Sequence, residues 1–228
     1  MENETLAKAF NLSIRYLSYR ARSKKQIIKY LQGKDYNDDI ILKVINRLEQ
    51  IDYIDDNKFA LNYINTVMAK QNKGISLVKK ELMDRGINED IISNSISAYS
   101  IEDEGNFAIN ISKKYFATKT NSPIKQIKTN LYNKLIRQGF SNESIYKAIN
   151  YLDNSDEINK IIETKQETYK KQAYEFIRKY YPRYCNKGND KFIAERKIFA
   201  KLLSKGYDYY LVEEVLNNYK IENDYHLW

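Results

Sequence analysis

Apolar residues along the chain recur at intervals of three and four, the period of a helix with one buried face. Leu6, Phe10, Ile14 and Leu17 fall at i, i+4, i+8 and i+11. Phe59, Ala60, Tyr63, Ile64 and Val67 make a second such face. Phe107, Ile111 and Tyr115 make a third, and Ala173, Phe176, Ile177 and Tyr180 a fourth. After each face come two shorter amphipathic segments joined by one or two punctuating residues. They read KYLQGKDYNDDIILKVI, KKELMDRGINEDIISNSI, NKLIRQGFSNESIYKAI and AKLLSKGYDYYLVEEVL. The pattern predicts four groups of three helices.

The punctuation has a physical reading. Gly86, Gly139 and Gly206 stand where a helix ends in the left-handed conformation, which glycine reaches without a Cβ penalty. Asn37, Asn88, Ser141 and Asp208 then offer N-cap oxygens to the next helix. Between them lie Tyr36, Ile87, Phe140 and Tyr207, spaced 51, 53 and 67 residues apart. The first group departs from the rule: Lys34 and Asp35 stand where the others have glycine before the apolar residue, and Gly33 lies one further back. Middle helices are expected to start at Ser23, near Ser76, at Ser122 with Pro123 in the first helical position, and near Asp190. The fourth leading helix reads as longer, from near Asp156. A period of about 50 residues marks stacked repeats. The expectation is an all-α fold of about four tandem three-helix-bundle repeats in an elongated, curved array, with boundaries 1–52, 53–102, 103–154 and 155–228.

Composition narrows the chemistry. Two prolines and seven glycines in 228 residues are too few for a turn-rich sandwich or barrel. The one cysteine, Cys185, excludes an internal disulfide framework, and the one histidine, His226, lies near the C-terminus. Single glycines leave no phosphate-cradling loop. With no constellation of acid, base and nucleophile, neither an enzyme, a cofactor nor a metal is expected. No apolar run approaches the ~18 residues of a membrane span, and the first ten residues lack a signal-peptide pattern. A cytoplasmic monomer is expected.

The net charge of +8 is unevenly spread. Residues 53–104 carry six basic and nine acidic groups, a net of −3. Residues 105–153 carry eight and two, a net of +6. Lys113, Lys114, Lys119, Lys125, Lys128, Lys134 and Arg137 thus predict a positive surface on the third repeat, with Lys125 and Lys128 on one helix face. A second candidate is Arg178-Lys179-Tyr180-Tyr181-Pro182-Arg183-Tyr184 with Lys187, where basic and aromatic residues interleave through a proline break. That composition suits a backbone-tracking, base-stacking contact, although Tyr180 and Tyr184 equally suit packing between helices. Asp55-Asp56, like Asp38-Asp39 and Glu89-Asp90, reads as acids of a first helical turn rather than a metal or catalytic pair.

Three segments carry a family resemblance. Tyr19-Arg20-Ala21-Arg22-Ser23 with Ile27 and Leu31 resembles the Arg-x-Arg-Ser-x-x-Glu-Leu stretch that opens RecX proteins, with Gln26 in place of Glu. Asp55-Asp56-Asn57-Lys58-Phe59-Ala60-Leu61-Asn62-Tyr63 is similar to the family's Asp-Asp-x-x-Phe-Ala-x-x-Tyr. Lys73-Gly74 and Glu81-Leu82-Met83-Asp84-Arg85-Gly86-Ile87 match its Lys-Gly and Glu-Leu-x-x-Lys-Gly-Ile, with Arg85 for Lys. The motifs cover residues 15–99. Beyond them the repeat pattern carries the likeness. The resemblance implies tandem three-helix repeats and a regulator of the RecA recombinase that binds the RecA–DNA filament, usually inhibiting its ATPase and strand exchange in DNA repair, recombination and the SOS response. It implies no catalytic residue. Arg20 and Arg22 stand either as contacts to phosphate or RecA or as structural residues flanking the Ser23 cap. Single- and double-stranded DNA are further candidate partners, and a helical DNA-binding protein acting without RecA is the alternative.

Overall fold

A computed structural model describes residues 2–97, 99–119, 122–185 and 190–224. Among them are twelve α-helices and no strand. The first six are α1 (Glu2–Tyr19), α2 (Lys24–Gln32), α3 (Asp38–Gln50), α4 (Asp56–Lys70), α5 (Ile75–Asp84) and α6 (Glu89–Ile96). The next six are α7 (Ile101–Lys119), α8 (Ile124–Arg137), α9 (Asn142–Asn154), α10 (Asp156–Cys185), α11 (Lys191–Ser204) and α12 (Tyr209–Asp224). They form two compact units. One holds the residues through Phe107 together with Arg137–Ser144; the other holds Ala108–Ile136 and the residues from Ile145 onward.

In the first unit, α1, α2 and α3 pack around Ala9, Ile27, Leu31, Val44 and Leu48, all fully buried, with Leu6, Phe10, Ile14 and Leu17 against them. Fully burying an isoleucine, leucine or valine contributes about 1.5–3 kcal/mol. Ala60, Ile64 and Val67 of α4, Val78 and Leu82 of α5, and Ile92 and Ile96 of α6 are likewise buried. The caps follow the sequence: Asn37 accepts from the Ile40 N–H (2.9 Å) and Asn88 from the Asp90 N–H (2.9 Å). Ser23 accepts from the Gln26 N–H while the Gln26 side chain accepts from the Ser23 N–H at 3.1 Å. Glutamine therefore completes the capping box as glutamate would.

The three left-handed glycines do more than end helices. Gly86, Gly139 and Gly206 have φ of 80°, 77° and 92°, and each receives the first turn of an earlier middle helix. A Cβ on Gly86 would meet the Lys25 side chain at 2.0 Å, and one on Gly139 would meet the Leu77 nitrogen at 2.3 Å. On Gly206 it would meet the Gln126 nitrogen at 2.8 Å, within the second unit. The Gly139 contact is reciprocal, because a Cβ on Gly74 would meet the Gly139 carbonyl oxygen at 2.2 Å. Asp35 adopts the same conformation (φ 60°) but is exposed. Its Cβ has room, so the first turn does without glycine at that position.

In the second unit, α10, α11 and α12 enclose Ala173, Ile177, Ile198, Leu202, Val212 and Val215. α10 runs for 30 residues and keeps Pro182 inside it. The proline break expected there is absent: Arg178–Cys185 continues the helix. Pro123 precedes the first residue of α8 and accepts the Ile127 N–H through its carbonyl at 3.1 Å, so it acts as the cap residue rather than the first helical one. α5 starts at Ile75 behind Gly74.

Candidate functional site

The segments Arg20–Ser23, Asp55–Tyr63 and Lys73–Ile87 lie far apart in sequence, yet the first unit brings them together. Between them opens a cleft of about 570 Å³. Arg20, Gln26, Phe59, Tyr63, Lys70 and Arg85 line it, and among the described residues no acidic side chain does. Phe59, Tyr63 and Lys70 belong to α4, whose helical spacing aligns them.

One wall is held by a charged cluster. The Lys73 ammonium pairs with Glu81 at 2.6 Å and donates to the Tyr63 hydroxyl at 2.9 Å. The Arg85 guanidinium donates to the Glu81 carbonyl at 2.6 Å and lies 4.7 Å from the Tyr63 ring centre. Burial opposes both charges of the pair: it pulls the Lys73 ammonium down, helped by Arg85, and pushes the Glu81 carboxyl up. The Tyr99 hydroxyl donates to the Lys73 carbonyl at 2.6 Å, and burial pushes that phenol well above its ordinary value of 10.0.

Two carboxylates join helices across this unit. Asp55 caps α4 locally, accepting the Asn57 and Lys58 N–H groups at 2.8 and 3.1 Å; the Lys58 bond holds its carboxyl below the ordinary value. Asp56 turns away and accepts the Lys24 N–H of α2 at 2.9 Å, half-buried, and burial pushes its carboxyl up. Glu104 of α7 is 1% exposed. It accepts the Ile75 N–H at 2.8 Å and the Ser141 and Ser144 hydroxyls at 2.5 and 2.8 Å.

The sequence-predicted residues divide. Arg20 lines the cleft and is exposed. Arg22 is half-buried, with its guanidinium 4.1 Å from the Tyr16 ring centre; Tyr16 in turn stacks on Tyr30 at 4.0 Å. The Arg22 Nε meets no acceptor among the described residues. Of the basic residues between positions 105 and 153, Lys128 pairs with Asp153, Lys113 lies 4.8 Å from the Tyr151 ring centre, and Lys134 lies 5.1 Å from that of Tyr115. Lys114, Lys119, Lys125 and Arg137 are exposed. In α10, Tyr180 and Tyr184 pack against the core. Lys179 and Arg183 flank the Tyr180 ring at 5.5 and 5.4 Å, and with Arg178 they are exposed. Lys187 lies outside the described residues. Sequence reasoning passed over Lys70 and Arg85 as contacts, although Arg85 stands within a motif. Among the described residues no group of three His, Cys, Asp or Glu side chains is placed to hold a metal, and no helix is long and apolar enough to cross a membrane.

The model of the RecX first three-helix domain matches residues 9–48, the segment forming most of α1, α2 and α3. The regulatory protein RecX of Bacillus cytotoxicus is 32% identical over 206 residues, covering 90% of this chain and 72% of that protein. The chain belongs to the RecX family. The regulatory protein RecX of Streptococcus agalactiae serotype V is 29% identical over 210 residues, covering 92% of this chain and 77% of that one. The crystal structure of RecX from Lactobacillus salivarius is 26% identical with a TM-score of 0.59, over 66% of this chain and 98% of that chain. Helical repeats are thus the RecX fold here, and the family's members carry the name of regulators, not of enzymes.

Proposed function

We propose that this RecX-family chain binds the RecA–DNA filament and lowers its ATPase and strand-exchange activity. The observation that carries this reading is family kinship over nearly the whole chain to proteins named as regulators. The proposed working parts are the four repeats 1–52, 53–102, 103–154 and 155–228. The mechanism is occupancy. Helical repeats bridging neighbouring RecA protomers oppose the movements that ATP turnover and subunit addition require. Such a ligand acts only by binding one filament state more tightly than another. The exposed Lys114, Lys125 and Arg137 would lie toward DNA, where each neutralised phosphate releases counterions.

The test compares binding to preformed RecA filaments on single-stranded DNA with binding to the same DNA alone, each across a salt series. Tight binding to filaments with weak binding to bare DNA supports the reading. Equal affinity for both, falling steeply with salt, would instead mark a DNA-binding protein that acts without RecA.

A further inference from the structure

We infer that the cleft between Arg20 and α4 is a receptor for an acidic segment of a protein partner, with carboxylates seated among Arg20, Lys70 and Arg85. This inference rests on the RecA-filament reading for the partner's identity, but not for the chemistry of the cleft.

Three features of the cleft point to a carboxylate. First, among the described residues its lining carries three cations and no acid; the nearby Glu81 carboxylate is already engaged by Lys73 at 2.6 Å. Second, the cations surround one hollow of about 570 Å³, where their fields add on a single anionic group. A nucleic-acid strand instead needs cations strung along a track. Third, the Arg85 guanidinium is set in place by its bond to the Glu81 carbonyl at 2.6 Å. A fixed planar fork with donors left over matches a carboxylate bidentately.

The aromatic floor argues against a stacked base. Tyr63 is one of the two lining rings, but the Arg85 guanidinium and the Lys73 ammonium already lie 4.7 and 5.4 Å from its centre. A base would have to displace them. An acidic side chain leaves them in place and sets its methylenes against Phe59. The two cations Arg20 and Lys70 are exposed, so they are open to a partner from solvent.

The test uses the full chain and the double variant Arg20→Gln with Lys70→Gln. Both positions are exposed, and far-UV circular dichroism checks that the helices are retained. Three affinities are measured: for preformed RecA filaments on single-stranded DNA, for the bare DNA, and for a hexaglutamate peptide. The variant should lose filament affinity about 5- to 10-fold, as expected for two charges at an interface, and should lose hexaglutamate binding. Its affinity for bare DNA should be unchanged, and restoring charge with Arg20→Lys and native Lys70 should recover most of the loss. Unchanged filament affinity overturns the inference. A parallel fall in affinity for bare DNA also overturns it and assigns the cleft to nucleic acid. If the unaltered chain binds no filament, the RecA reading fails separately, and hexaglutamate decides the cleft: binding lost in the variant upholds it, and binding kept or never seen overturns it.

Discussion

The Glu104 carboxylate accepts the backbone N–H of Ile75 at 2.8 Å from 29 residues away. It does what an N-cap side chain does, but from another helix. Gly74 occupies the cap position and has no side chain to offer; it cannot gain one, because the Gly139 carbonyl stands 2.2 Å from where a Cβ would lie. The Gly74 and Ser76 N–H groups bond to the Gln138 and Gly139 carbonyls at 2.8 and 3.2 Å. With Glu104 on Ile75, the consecutive Gly74, Ile75 and Ser76 donors at the start of α5 each find an acceptor outside the helix. Asp56 does the same for Lys24 at the start of α2.

Replacing Glu104 with Ala should therefore be among the most damaging single changes in the first unit. It strands the half-buried Ile75 N–H and the buried Ser144 hydroxyl and takes an acceptor from Ser141, at a cost of about 3 kcal/mol. Glu104→Gln keeps one acceptor and should cost less. Urea unfolding followed by circular dichroism gives both values. Equal stability of Glu104→Ala and the unaltered chain would refute the capping role.

The glycine positions make a paired test. Gly139→Ala forces a Cβ into a left-handed residue and against the Leu77 nitrogen at 2.3 Å. It should destabilise by about 2 kcal/mol or more. Asp35→Gly, at the equivalent but exposed turn, should change stability by less than about 1 kcal/mol. The same unfolding measurement on both variants decides. A larger loss at Asp35 would show that packing does not explain why glycine is missing there.

Asp55 and Asp56 should respond to acid in opposite senses. The folded state holds Asp55 below its ordinary value of 3.8. Its contribution to stability is therefore full above that value and is lost as the pH falls through the lower, folded one. Burial holds Asp56 above 3.8. Its ionised form costs stability above the raised value, and that cost fades as the pH falls toward 3.8. At pH 7 Asp56→Asn, which keeps an acceptor for the Lys24 N–H, should be neutral or stabilising. Asp55→Ala should cost about 1 kcal/mol as a lost cap. Thermal melts of the two variants between pH 3 and 7 would expose a reversed order.

Much of this architecture was legible in the sequence. Helical spacing located the four leading helices, and the turn glycines and cap residues located the helix junctions, because those signals are local. Gln26 could be read as standing in for Glu, and the capping box shows why the exchange is harmless. What stayed hidden depends on residues distant in sequence. Asp55 and Asp56 look alike as first-turn acids, yet only one caps its own helix. Lys125 and Lys128 share a helix, but Lys128 faces Asp153 of α9. Pro182 looked like a break, and the contacts of the surrounding tyrosines with the α10–α12 core accompany a helix that continues through it. The cleft was half legible: Arg20 stood out by motif, while Lys70 and Arg85 join it only through folding.

The Lys128–Asp153 pairing also reorders the basic residues between positions 105 and 153. Lys114→Gln, Lys125→Gln and Arg137→Gln combined should weaken filament binding and flatten its salt dependence. Lys79→Gln with Lys80→Gln, exposed on α5, should do so less. Lys128→Gln alone should act mainly by leaving Asp153 without its partner. Filament binding at two salt concentrations measures all three, and equal effects would show that the local +6 does not direct binding.

The central claim is tested most directly by RecA's ATP hydrolysis on single-stranded DNA, with and without this protein. The account predicts that the steady-state rate falls as the protein is added, and that the protein alone hydrolyses no ATP. An unchanged rate at protein concentrations that saturate the filament would contradict it.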